Sequence, residues 1–192
     1  MQQEIMERQL SREERLALKN RRTGMAIFQI SWIMVFVCLI VVNLQIRSNF
    51  TTWPPEGVAK LELGLPTFAA LLLVISGFFV RSALHAVEAD QSFVGPWRIA
   101  LALGAAFILI MTWEWLNAPV TTDASQQYGV LFRVMTAFHA IHALVIGLYM
   151  IRVDRFRAFY SARDYWAVEA GAKLWYFVVA AWLMFYVVLY WI

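Results

Sequence analysis

Five stretches of the chain, at 24–46, 64–84, 98–117, 129–151 and 173–192, are almost wholly apolar and nearly free of charge. Each is close to the roughly 20 residues that a helix needs to cross about 30 Å of hydrocarbon. A backbone in lipid must satisfy its own N–H and C=O groups, so only helices and closed barrels span a membrane. Barrel strands would alternate apolar and polar side chains, and no such alternation is present. The expected fold is all-α, a polytopic membrane protein built as a bundle of five transmembrane helices. Composition agrees: 61% of residues are apolar and 15% charged, against about 25% charged in soluble domains. That leaves little chain for a separate soluble domain.

Prolines punctuate the spans. Trp53-Pro54-Pro55-Glu56-Gly57 cannot continue a helix, because proline lacks a donor and fixes φ. Pro66 and Pro96 fall at or just before the first turns of the second and third spans, where a missing N–H costs little, and Pro119 closes the third. Residues 1–23 are polar and rich in Glu, Arg and Lys, with Glu4 and Arg8 four apart in the order that favours a helix. They are expected to form a cytoplasmic or membrane-surface amphipathic segment, with a solvated tail as the plainer alternative. The first apolar stretch is too long for a signal h-region and no small-residue cleavage site follows it, so it is expected to stay in the mature protein.

Lys and Arg distribution gives the orientation. With the N-terminus cytoplasmic, thirteen of the 16 basic residues fall inside and only Arg47, Lys60 and Arg133 outside. The C-terminus is then outside. Trp53, Trp97, Trp115, Trp166, Trp175 and Trp191 fall near the proposed interfaces, as an aromatic belt predicts. The net charge of +3 suits anionic headgroups, and no basic helix with interleaved aromatics suggests nucleic acid. Cys38 is the only cysteine, so an internal disulfide or cysteine metal cluster is excluded.

Polar residues within spans are expensive and therefore informative. His139 and His142 are three apart and project from one helix face. Such a pair could ligate a metal or haem; the plainer role, which we favour, is to tie helices together by hydrogen bonds. Glu114 and Arg133 stand at similar depth on consecutive spans, which leaves open a partly buried ion pair or two side chains reaching the headgroups independently. No nucleotide loop, zinc motif or nucleophile elbow is present. The spans alone describe a polytopic membrane subunit or a small transporter.

Several motifs resemble subunit III of the haem-copper (cytochrome c) oxidases, in its five-helix bacterial form. Gly24-Met25-Ala26-Ile27-Phe28 resembles the opening of a helix in that family, and Trp53-Pro54-Pro55-x-Gly57 with Leu65-Pro66 resembles its outer loop and next helix. Trp113-Glu114-Trp115, Phe138-His139-Ala140-Ile141-His142-Ala143 and Glu169-Ala170 with Trp175-Tyr176-Phe177 resemble three later pieces, in order and at matching spacing. The resemblance implies a non-redox accessory subunit with no catalytic, cofactor or metal site of its own. Haem and copper would lie in partner subunits, with catalytic subunit I beside it and phospholipid in a groove between its helices. It also implies that Glu114, His139, His142, Glu169 and Trp175 lock helices or face other subunits, and Arg133 joins these candidates from its depth in the fourth span. Four positions depart from the family pattern: Trp32 replaces a usual buried Glu, Tyr176 a usual His, Val179 a usual Asp, and Arg133 an apolar residue. Other classes stay open, namely an accessory subunit of a nitric oxide reductase or divergent respiratory complex, a small transporter, or a haem-binding membrane protein.

Overall fold

The computed structural model describes residues 11–120 and 127–192. Five helices dominate: α1 (Arg12–Arg47), α2 (Gly64–Glu88), α3 (Val94–Asn117), α4 (Gln127–Arg155) and α5 (Trp166–Tyr186). All five are long and apolar enough to cross a membrane. The Glu4–Arg8 pair lies outside the described residues.

The first helix does not break at residue 23. It starts at Ser11, whose hydroxyl accepts from the Glu14 N–H at 3.2 Å while the Glu14 carboxylate accepts from the Ser11 N–H at 2.8 Å. This reciprocal capping satisfies two otherwise orphaned donors. From there α1 runs 36 residues, or about 54 Å at 1.5 Å per residue. That exceeds the hydrocarbon thickness, so its charged first turns extend beyond the membrane.

The turn between α2 and α3 is set by backbone chemistry. Gln91 N–H donates to Ala86 O at 2.8 Å and Asp90 N–H to Val87 O at 3.1 Å, with Asp90 at φ 56°. These are the two bonds of a Schellman closure, and Asp tolerates its left-handed position better than most side chains. Before α2, Val58 N–H donates to Pro55 O at 3.1 Å across a turn whose third residue, Gly57, has φ 81°. A positive φ at that position is what glycine supplies without strain. The same loop is seated on α4: Trp53 meets Tyr128 edge-on at 5.3 Å, and Leu61 N–H donates to the Tyr128 hydroxyl at 3.4 Å.

α5 is the buried axis. α1, α2 and α4 each pack against it, α2 also packs on α3, and α3 on α4. Its last turn widens into a π-helix over Val187–Trp191, with Ile192 N–H donating to Val187 O at 3.0 Å. α1 is peripheral, burying only Phe36 and Asn43. It leaves a row of large apolar side chains exposed, including Ile27, Ile30, Met34 and Val41.

α3 and α5 are joined by two indoles seated on two glycines. The Trp175 ring of α5 lies directly on Gly104 of α3, closer than any Cβ there would allow. Reciprocally, a Cβ on Gly171 of α5 would stand 2.8 Å from the Trp97 ring of α3. Each indole N–H is also spent: Trp175 donates to Ser76 Oγ of α2 at 2.8 Å, and Trp97 to Met150 O of α4 at 3.0 Å. Trp97 and Trp175 are 0% and 1% exposed. The aromatic-belt expectation is therefore corrected for these two residues, which glycine notches draw inward. Trp191, at the end of the last helix, is 63% exposed.

Gly104→Ala must push the Trp175 ring away from Ser76, an overpacking that costs about 1–3 kcal/mol. Gly147 has nothing within 4 Å of an added Cβ, so Gly147→Ala serves as a control. Thermal unfolding in mild detergent should show a lower Tm for the first and an equal or higher Tm for the second; equal behaviour would contradict the notch.

Candidate functional site

The inward face of α4 carries Phe132, Met135, Thr136, His139, His142 and Ala143, at the three-and-four spacing of one helix stripe. His139 and His142 are buried. His139 Nε2 lies 3.0 Å from the Val178 carbonyl of α5. A carbonyl only accepts, so Nε2 carries the proton and donates. Phe107 of α3 meets the His139 ring edge-on at 5.6 Å, and Trp182 of α5 lies 5.1 Å away.

His142 is held by rings. Trp32 of α1 stacks on it at 5.1 Å and 29°, while Phe36 and Phe177 approach edge-on, each at 5.2 Å. Edge-on and offset geometries are those that ring quadrupoles favour. Together the two imidazoles close an aromatic box that joins α1, α3, α4 and α5. Their own rings stand 6.3 Å apart at 68°. Among the described residues no set of three His, Cys, Asp or Glu side chains converges. Trp32 occupies the position where the resemblance leads one to expect a buried Glu. Its indole stacks on the His142 ring.

The end of the bundle where α5 begins is tied by charge. Glu169, in the first turn of α5, is 5% exposed. Arg22 Nη2 of α1 lies 3.0 Å from Glu169 Oε2, and Arg22 Nε is 3.2 Å from Oε1. Lys173 Nζ, one turn along α5, donates to Oε1 at 2.7 Å. The carboxylate also lies near the positive end of the α5 dipole, which favours it. Gln29 adds a bond to the Lys173 carbonyl at 3.3 Å. Thus α1, otherwise loosely held, is fastened to α5 at the membrane surface. Alongside, Arg98 Nε pairs with Asp154 at 3.0 Å between α3 and α4.

At the opposite end, the Glu114–Arg133 pair is not formed. The Arg133 guanidinium lies over the Trp115 ring, 4.8 Å from its centroid, and bonds the Trp115 carbonyl. Weaker bonds reach the Ala118 and Val120 carbonyls at 3.5 Å, and Trp115 Nε1 donates to Arg133 O at 3.0 Å. The last carbonyls of a helix have no intrahelical donor and carry its negative pole. Arg133 caps α3 there, which is why it turns from Glu114. Glu114 is partly exposed and forms no hydrogen bond or ion pair among the described residues.

Of the residues singled out from sequence, His139 and His142 come together in one box, Glu169 and Trp175 hold α5 to α1 and to α2 and α3, and Glu114 stands apart. The sequence reading missed Arg22 as the partner of Glu169, Ser76 as the acceptor of Trp175, and the Trp97–Gly171 seat. A serine within an apolar span, and Trp and Gly repeated on two helices, were the available signals.

The cytochrome c oxidase subunit III family profile matches residues 4–192. The chain belongs to this family. Cytochrome c oxidase subunit 3 of the lancelet Branchiostoma lanceolatum is 31% identical over 188 residues, which is 91% of this chain and 70% of that protein. The subunit 3 of Synechocystis sp. is 29% identical over 177 residues, 88% of this chain and 75% of that protein. The pig protein, from Sus scrofa, is 30% identical over 185 residues, 90% and 70% respectively. As a member of the subunit III family with five membrane-crossing helices, the chain is a multi-pass membrane component of an oxidase assembly.

For this subunit III the Glu169 triad yields a direct test. Arg22→Ala and Lys173→Ala each leave Glu169 one cation, whereas the double variant leaves a buried carboxylate unpaired. Its loss of stability should exceed the sum of the single losses by about 0.5–3 kcal/mol, the usual range for coupled neighbours. Adding Glu169→Gln should remove that excess; simple additivity of Tm changes would contradict the triad.

Proposed function

We propose that this chain is the non-redox subunit III of a haem-copper terminal oxidase in aerobic respiration. It packs beside catalytic subunit I and supports its stability and proton uptake, while haem and copper reside in partner subunits. We place it in a bacterial plasma membrane, N-terminus cytoplasmic and C-terminus outside. The thirteen-to-three asymmetry of Lys and Arg and the five-helix form support that placement.

The observation that carries the reading is the match over residues 4–192. The use made of the inward polar groups supports it. His139 bonds a backbone carbonyl, Glu169 bonds two cations, and Trp175 bonds Ser76. These contacts hold helices in place. His139, His142, Glu169 and Trp175 are accordingly helix-locking residues. Arg133 fixes the outer end of α3, and Glu114 is the candidate for contact with another subunit.

The test is purification through a tag on the N-terminus in mild detergent. A reduced-minus-oxidised haem spectrum and stoichiometric copper should accompany the chain, together with oxygen consumption from reduced cytochrome c or quinol. A clean monomer or homo-oligomer carrying neither haem nor copper contradicts the reading. A haem-bearing complex that consumes nitric oxide and not oxygen would move the chain to a nitric oxide reductase.

A further inference from the structure

α1 meets the bundle along one heptad stripe. Arg22, Gln29, Phe36 and Asn43 stand seven apart and reach Glu169, the Lys173 carbonyl, Phe177 and Met135 in turn. A strict seven-residue repeat keeps one stripe of a helix on its neighbour through a left-handed supercoil. The far side of α1 carries a second stripe with the same repeat. Ile27, Ile30, Met34, Val37, Val41 and Leu44 follow one another at steps of three and four, and each is 38–62% exposed. The exposed stripe beside it is interrupted by Ser31, Cys38 and Gln45. Toward the N-terminus the apolar seam continues at the same steps through Thr23 and Asn20 to Leu16, all exposed.

Lipid can cover only part of this seam. The apolar run of α1 ends at Arg21 and Arg22. Leu16 lies about 9 Å further along the axis, at 1.5 Å per residue. The headgroup layer is about 5–8 Å deep, so Leu16, which is 51% exposed, stands beyond it. A second helix laid along α1 covers the whole seam, inside the membrane and out.

From this geometry we propose that the outer seam of α1 is a self-association face, on which two copies of the chain pair through parallel, in-register α1 helices. Both copies cross the bilayer in the same sense, so a closed pair has its two-fold axis along the membrane normal and its contact is isologous. Each seam residue then faces its own counterpart. Ile27, Met34 and Val41 take the a positions of the heptad, Ile30, Val37 and Leu44 the d positions, and Asn20 falls at a. A single asparagine at a pairs with its counterpart and fixes register and strand number. At the flanking positions Arg12 and Lys19 meet Ala17 and Gly24 of the second copy, so no like charges oppose there. Glu13, the a residue before Asn20, meets its counterpart with Arg12 beside it. The face lies on α1 alone. It rests on the membrane placement and not on the oxidase assignment.

The test uses the full chain, with whatever subunits accompany it, in native membranes and in a Cys38→Ser background. Oxidation by copper phenanthroline of Ile27→Cys, Ile30→Cys and Met34→Cys should give a disulfide-linked pair of twice the chain's mass on a non-reducing gel. Phe28→Cys and Val35→Cys, exposed on α1 but off the seam, should give none. Asn20→Glu sets two carboxylates against each other and should abolish the pair formed by Ile30→Cys, whereas Asn20→Gln should retain it. Asn20 is exposed, so neither change disturbs the packing of the bundle. Equal linkage at all five cysteine positions, linkage at none, a link to a different polypeptide, or a pair indifferent to Asn20→Glu would each overturn the self-association face.

Discussion

Hydrocarbon offers no partner to a backbone amide, so each of the five crossings satisfies its own N–H and C=O groups along its axis. The same constraint acts on every polar side chain carried into the bundle. Lipid tails are as apolar as leucine, so helix association cannot draw on the hydrophobic effect as a soluble core does. It depends on close packing and on polar groups finding each other. The indoles of Trp97 and Trp175 do both at once. Each ring fills a glycine notch and each N–H reaches a third helix. With α5 fixed in this way, the other helices have a buried axis to pack against.

The chemistry of the interior fits a part that is held still. His139 gives its proton to a backbone carbonyl, and His142 lies between rings. Trp32 fills a place where the resemblance leads one to expect an acid. The buried Glu169 carboxylate is held by Arg22 and Lys173. These contacts hold the helices of the bundle to one another.

Much of the fold was legible because apolar runs announce crossings. Their ends were less so. α5 begins at Trp166 and not near Lys173, because Glu169 and Lys173 neutralise each other and let the helix run on through polar sequence. α1 extends back to Arg12 for a similar local reason, the Ser11–Glu14 cap. The His139–His142 pair could be read from its spacing, and Glu169 and Trp175 from their family pattern. Their partners could not, since Arg22 and Glu169 are 147 positions apart and Trp175 and Ser76 are 99 apart. Equal depth suggested Glu114 for Arg133. The nearer attraction was the open end of α3, which spacing along a sequence does not reveal.

Everything rests on a chain that crosses the bilayer five times with its basic loops inside. Cys38 is the sole cysteine, so Cys38→Ser gives a background in which single thiols report sidedness. Ile192→Cys should react with an impermeant thiol reagent in intact cells, and Ser161→Cys only after the membrane is opened. Reaction of both, or of Ser161→Cys alone, from the outer face would contradict the topology.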